Sequence, residues 1–246
     1  MKKQIVEKQL GIAGDYQYRA LHKQNYLQSN WHYDKLIVIE RLLNEYKTKT
    51  LLDLGTGSGN LELTYSSKLD RILGVDYNDE ALKFLQSQLS KRKIKNVKLV
   101  YQNILDVAII SKLGKFDMII MVDVIEHLEA TSGKKLISSF KKLLTPEGKI
   151  VIITPNYSSL WPAMETFMDK FTSIPHLDGM QHVTKFTPSL LEETFKKNGN
   201  YKMVEFTTFN SFAFLFPWKV LSKMLTKLEF ALRFPFGNLL VGVFET

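Results

Sequence analysis

The chain has no cysteine, which removes disulfides, thiolate zinc sites and cysteine nucleophiles together. It has no run of about 18 apolar residues, the length a membrane-spanning helix needs, and its opening MKKQIVEKQLG lacks the apolar core of a signal peptide. The expectation is a cytoplasmic protein. No internal repeat and no low-complexity linker divides it. Acidic residues are the scarcer charge, 25 against 33 basic, so the net charge is +8. That excess raises the prospect of a polyanionic partner, but the lysines are spread along amphipathic segments such as 91–98 and 134–142, as on solvated helix faces. Nucleic acid is therefore not favoured. With 246 residues and 45% hydrophobic content, the chain suits one α/β domain with insertions.

What is present is concentrated in residues 47–63, KTKTLLDLGTGSGNLEL. An apolar run ends at Asp53 and Leu54, a turn holds Gly55, Thr56, Gly57 and Gly59, and a new apolar-periodic segment follows: strand, glycine turn, helix. Gly55 and Gly57 permit positive φ and leave no Cβ between the backbone and a ligand at the strand's carboxyl end. Asp53 puts negative charge where a dinucleotide pyrophosphate is unwelcome and an ammonium or sulfonium is at ease. Asn60 follows Gly59, so G-x-G-x-x-G is not matched. The next apolar run, 71–75, ends in Asp76, 23 residues after Asp53, about the separation at which a carboxylate accepts from ribose hydroxyls.

At these residues the sequence resembles the class I S-adenosylmethionine-dependent methyltransferases. Asp53-x-Gly55-x-Gly57-x-Gly59 is similar to that family's glycine motif, and Asp76-Tyr77 to its ribose carboxylate with the residue under the adenine. The resemblance implies a doubly wound, mostly parallel seven-stranded sheet with an antiparallel last strand and helices on both faces, a Rossmann-like fold. It also implies S-adenosyl-L-methionine as cofactor. Strands are expected at 50–54, 71–76, 96–101, 116–122, 149–154, 201–209 and 238–244, the fifth behind a turn at 145–148. Helices are expected from Asn30 as cap to about Tyr46, over 60–69, from Asp79, and over 186–197. Residues 11–29 read as a loose lead-in. We divide the single domain into lead-in and helix 1–47, cofactor-binding core 48–155, a lid insertion 156–185, and an apolar helical insertion 210–236.

Residues just after each strand are the ligand candidates in an open parallel sheet. Beyond the glycine turn and Asp76-Tyr77, these are Asn103 and Ile104, where the resemblance implies contact with the adenine, and Val122 through His127. Asn103 also reads as a cap for a helix over 104–113. The ending AspValIleGluHisLeu, 123–128, resembles small-molecule enzymes, including the O-methyltransferases of quinone biosynthesis. The Asn/Asp-Pro-Pro-aromatic motif of amino-directed relatives is absent, and without cysteine a cytosine-C5 mechanism is excluded.

A hydroxyl nucleophile wants a base, and histidine is the natural one near neutral pH. Of His22, His32, His127, His176 and His182, His127, which follows strand four at the ligand edge, and the lid residue His182 are the catalytic candidates, each with a structural role as the alternative. The spacing of Asp123, Glu126 and His127 also permits a divalent cation, but no further ligand is identifiable and no metal is assigned. Trp161, Met164, Phe167 and Met168 are expected to wall an apolar acceptor pocket. Segment 218–233 sets Trp218, Leu221, Leu225, Leu228 and Leu232 on one stripe and Lys219, Ser222, Lys223, Thr226 and Lys227 on another. It suits a peripheral membrane contact, a dimer contact, a lid on a lipid-like acceptor, or ordinary packing. The functional expectation is methyl transfer to a small, apolar or lipid-like hydroxyl or carboxyl acceptor. An RNA or tRNA methyltransferase, a nicotinamide oxidoreductase and a silent binding module on a similar sheet are the alternatives.

Overall fold

The computed structural model describes residues 13–22, 25–106, 112, 114–171, 177, 181–234 and 236–246. Seven strands form one sheet: β1 Thr50–Leu54, β2 Arg71–Asp76, β3 Val97–Tyr101, β4 Phe116–Val122, β5 Leu144–Pro155, β6 Lys202–Phe209 and β7 Leu239–Glu245. Their order is β3-β2-β1-β4-β5-β7-β6, and β7 alone runs antiparallel to the other six. The first crossover places β2 and β3 on one side of β1 and β4 and β5 on the other, so the order reverses at β1/β4. A crevice opens there at the strands' carboxyl ends.

The central strands are apolar on both faces because both faces are covered. Along β1, Leu52 and Leu54 enter one core while Leu51 enters the other. In β4, Ile119 and Met121 alternate likewise with Met118 and Ile120, and in β5 Ile150 and Ile152 with Val151 and Ile153. Each such side chain contributes about 1.5–3 kcal/mol on burial. The turn expected at 145–148 lies inside β5: pairing jumps from Phe116↔Leu144 to Met118↔Lys149, so these residues bulge out of the ladder without ending it.

Among the described residues the α-helices are α1 Tyr16–His22, α2 Tyr26–Glu45, α3 Asn60–Tyr65, α4 Asp79–Lys91, α5 Ala130–Ser139, α6 Trp161–Phe171, α7 Pro188–Gly199 and α8 Lys219–Ala231. Two expectations at the start are corrected. Residues 16–22 are helical, and α2 begins at Tyr26 with Asn25 as cap, its side chain accepting from Gln28 N at 3.1 Å. Asn30 lies inside α2, buried, because its amide donates to the carbonyls of Phe214 and Phe216 (3.3 and 2.7 Å). A polar residue that looks like a cap is here a tie to the 210–236 segment. The helix over 60–69 ends at Tyr65 and tightens into a 3-10 turn over Ser66–Lys68. Thr187 caps α7, and the left-handed residue that stops it is Asn200. Of the 104–113 helix, most lies outside the described residues. No described helix is long and apolar enough to cross a membrane.

Segment 218–233 turns a face other than its apolar stripe inward. On α8 the buried residues are Ser222, Thr226 and Phe230, while Trp218, Leu228 and Leu232 of the apolar stripe are exposed. The small polar face is the one that lets α8 approach α2: Thr226 Oγ1 donates to the Ser222 carbonyl at 2.9 Å, while the buried Ser222 hydroxyl has no partner among the described residues. Asp34 of α2 lies fully buried beside Thr226, and burial pushes its carboxyl up to about 7, opposed by the Thr226 hydroxyl and reinforced by Glu229.

Candidate active site

A cavity of about 430 Å³ opens at the β1/β4 crevice, within the range of small-molecule sites. Its walls include Asp53, Gly55, Thr56, Gly57, Gly59, Asp76, Tyr77, Asn103, Ile104, Val122 and His127. Eleven residues picked from scattered strand ends thus meet around one space. His182 stands one ring behind, its centroid 5.3 Å from that of His127.

The glycine turn follows from backbone needs. Gly55, Gly57 and Gly59 have φ of +90°, +52° and +78°, a region that carries no penalty only for glycine. What fills the space of a Cβ differs among them. At Gly55 it would stand 2.3 Å from Val124 and at Gly59 2.2 Å from Leu85, so these two are demanded by packing. At Gly57 it would meet the Gln17 side chain at 3.0 Å. Asp76 is held in place by two backbone donors, Gly57 N and Asn78 N, each at 2.8 Å.

Below the turn lies a carboxyl cluster. Thr56 Oγ1 bridges Asp53 Oδ2 (3.2 Å) and Glu62 Oε1, and Glu62 Oε2 is buried without a partner. Burial first, then the neighbouring Glu62, raises the Asp53 carboxyl well above its ordinary value. Burial likewise raises Glu62, against the Thr56 hydrogen bond, and Asp76 adds to both. Such a cluster retains a proton until a cation replaces it, and it repels a pyrophosphate. The donor set fits S-adenosylmethionine, which carries an ammonium and a sulfonium.

Helix α1, formed by the tyrosine-bearing lead-in, covers the glycine turn. Gln17 Oε1 accepts from Ser58 Oγ at 2.8 Å, its carbonyl accepts from Asn60 Nδ2 at 2.9 Å, and Tyr18 packs on Phe84 of α4. Asn103 is exposed at the cavity edge, its Oδ1 accepting from Leu105 N at 2.9 Å in a local turn. Ile104 is buried beside it.

The opposite wall is charged and aromatic. Lys35 of α2, buried, pairs with Asp123, which sits in the left-handed region at φ +53°. Burial and the Lys35 charge push His32 down to about 3, so it is neutral. His127 Nδ1 is 2.7 Å from the Gln181 carbonyl. That contact makes Nδ1 the protonated nitrogen and leaves Nε2 able to accept a proton. His182 Nδ1 is 2.5 Å from Glu165 Oε1, to which Tyr157 also donates at 2.7 Å. Burial lowers the His182 pKa, with Glu126 acting against it. The stretch carrying His182 is anchored by Val183 N and Thr184 N donating to the Glu126 carbonyl at 2.8 and 2.9 Å.

The cation-collecting triple allowed by the sequence changes its membership. Asp123 is engaged by Lys35, whereas Glu126, His127 and His182 bring one ligand atom each to within 4.8 Å of one another. Glu126 Oε2 accepts from Thr154 at 2.9 Å and Oε1 has no partner. The acceptor wall expected from α6 is also corrected. None of Trp161, Met164, Phe167 and Met168 lines the cavity; Trp161 packs between Trp31 and His182, and Phe167 is exposed. The buried residues of α6 are Trp161 and Glu165. His176 lies outside the described residues.

Gln17, Lys35, Glu62 and Glu165 were missed. For Lys35 and Glu62 a signal existed, a single charge inside an apolar helical run (KLIVI, LEL) that the helix's geometry must bury. Gln17 and Glu165 sit in mixed sequence and carry no such mark.

Residues 45–208 match the family profile described as a methyltransferase domain. A probable S-adenosylmethionine-dependent methyltransferase of Mycolicibacterium smegmatis is 22% identical over 66% of this chain and 58% of its own length. A ubiquinone biosynthesis O-methyltransferase of Leptothrix cholodnii is 23% identical over 57% of this chain and 55% of its own. The chain therefore spans a little over half the length of these two curated relatives. Among solved structures, the N-methyltransferase NodS of Bradyrhizobium japonicum, in complex with S-adenosyl-L-homocysteine, superposes with a TM-score of 0.58. It is 13% identical, and the match covers 91% of this chain and 89% of that one. At that identity the likeness speaks for the fold alone.

Proposed function

The chain belongs to the methyltransferase-domain family, whose methyl donor is S-adenosylmethionine, and from that premise we propose methyl transfer to a hydroxyl or carboxyl oxygen of a small, apolar or lipid-like acceptor. The bound donor supplies a methyl group on a sulfonium, transferred by in-line displacement. The work left to the protein is alignment, exclusion of water and a deprotonated nucleophile. In this reading Asp76 accepts from the ribose hydroxyls, Tyr77, Asn103 and Ile104 border the adenine, Val122 and the glycine turn line the donor's path, and Asp53, backed by the buried Glu62, faces its cationic end.

The observation that supports the oxygen acceptor is the 2.7 Å contact of His127 Nδ1 with the Gln181 carbonyl. With Nδ1 tied to Gln181, the other ring nitrogen of His127, a residue of the cavity wall, takes the proton of an approaching hydroxyl, and His182, fixed by Glu165, holds the lid stretch that brings Gln181 to it. A carboxyl acceptor arrives ionised and needs only positioning. Transfer of a labelled methyl group to a panel of phenols, long-chain carboxylic acids, amines and tRNA tests the reading. Labelling of oxygen acceptors that falls about 10²-fold in His127→Ala, with unchanged affinity for S-adenosylhomocysteine, is expected. Labelling confined to amines or tRNA would overturn it.

A further inference from the structure

We infer that helix α8 and the aromatic turn before it form a docking surface for an anionic lipid bilayer. Val220, Met224, Leu228 and Ala231 recur at i, i+4, i+8 and i+11, which places them on one face of the helix. The face opposite, Ser222, Thr226 and Phe230, is the one buried against α2. The outward apolar side chains are open to solvent: Val220 is 74% exposed, Met224 62%, Leu228 52% and Leu232 66%, with Trp218 at 68% at the helix start. A globular surface helix normally shows the reverse arrangement. A contiguous apolar face of this kind marks an interaction surface.

Charge chooses the occupant. Lys219, Lys223 and Lys227 run along one flank of that face, and none forms an ion pair among the described residues. Glu40, the acid that feels Lys223 and Lys227, is paired with Lys68. Glu229, the acid on α8 itself, accepts from the backbone N–H groups of Ser211, Phe212 and Ala213 at 2.9–3.1 Å. A second copy of the same face would bring lysines to lysines with no carboxylate to meet them. Anionic headgroups supply the counter-charge while acyl chains receive Met224 and Leu228, the pattern of a helix lying in the membrane interface with Trp218 at headgroup level. The surface also leads to the site: Phe214 of the preceding turn packs edge-on against Trp31 at 5.1 Å, and Trp31 contacts Trp161, the neighbour of His182.

This assignment rests on exposure and charge and is independent of the acceptor chosen above. The full chain is sedimented with vesicles of neutral phosphatidylcholine alone or with 30% (roughly, the anionic fraction that makes a surface attractive to lysine) phosphatidylglycerol, at low and high salt. Association with the anionic vesicles, weakened by salt, is expected. Met224→Asp with Leu228→Asp should lower it more than about tenfold, and each of Lys219→Gln, Lys223→Gln and Lys227→Gln about fivefold. Affinity for S-adenosylhomocysteine and the melting temperature, read on the same samples, should stay at wild-type values in the variants; a variant that fails this check is replaced by Val220→Ser with Met224→Ser. Absence of vesicle association at low salt, or association unaffected by the Met224 and Leu228 changes, would overturn the inference. So would a dimer by analytical ultracentrifugation that the Met224 change dissociates, since the face would then be taken by a second copy.

Discussion

The cavity under the glycine turn and the outer face of α8 break the same rule in opposite directions. One buries the carboxyls of Asp53, Glu62 and Asp76 within hydrogen-bond reach of a single turn; the other exposes Trp218, Val220, Met224 and Leu232 to water. Neither arrangement stabilises the isolated chain, because a buried acid that must keep its proton and a wetted hydrophobe both cost free energy. In the readings proposed above, each is relieved by a ligand of complementary character, a cation in the first case and an apolar, anionic surface in the second. Departures from the burial rule thus point to function more sharply than the well-packed strands between them.

The largest expected effect separates the two regions outright. Asp76→Ala removes the acceptor that orders Gly57 N and Asn78 N, and S-adenosylhomocysteine binding should fall more than about 10²-fold, an estimate built on the loss of charge-assisted hydrogen bonds of roughly 1.5–3 kcal/mol each. Calorimetry checks it; near-wild-type affinity would remove Asp76 from the cofactor site. Next comes turnover: His127→Ala should lose about 10²-fold in kcat with donor affinity intact, whereas His182→Ala should lose less if its part is to hold the Gln181 stretch. Equal turnover in all three proteins would mean that an already ionised acceptor needs no base.

The contact between α8 and α2 gives a stability prediction. The Asp34 carboxyl is raised to about 7 from its ordinary 3.8, so the folded state holds this proton more tightly than the unfolded chain does. Its contribution is fully present below about pH 4 and is lost as pH rises towards 7, so stability falls across that window. Asp34→Asn removes the titration, and its advantage over wild type should grow across the same window to about 4 kcal/mol, at roughly 1.4 kcal/mol per pKa unit. Chemical denaturation at pH 4.5 and 8 (roughly, the two ends of that window) reads it; a pH-independent difference would contradict the buried, protonated state.

A smaller effect belongs to the carboxyl cluster. Because Asp53 and Glu62 are raised in the free protein, a bound cation should expel a proton, and donor affinity should weaken as pH falls. Calorimetry in two buffers of different ionisation enthalpy measures the proton released; zero release would mean the pair is ionised beforehand. Smallest of all, Met224→Asp should alter S-adenosylhomocysteine affinity less than about twofold, as expected for sites acting independently. A larger change would show that the two regions are coupled.

The α/β class, the strand-turn-helix at 47–63 and the acid at Asp76 were legible along the chain because each is a local pattern: apolar run, glycine where φ must be positive, carboxylate at a strand's end. The strand ends also named the cavity walls, since an open parallel sheet presents them at one edge. What could not be read was which partner each polar group meets across the sheet. Asn30 looked like a cap and became a tie to Phe214 and Phe216; Glu165, among apolar neighbours in α6, found His182; and the Ser222/Thr226 face of α8, not the leucine face, turned inward. Periodicity tells which residues share a face of a helix, because that depends on the helix alone. Which face is buried depends on the surface it meets, and that surface, the polar Asn30 and Asp34 side of α2, exists only once the chain has folded.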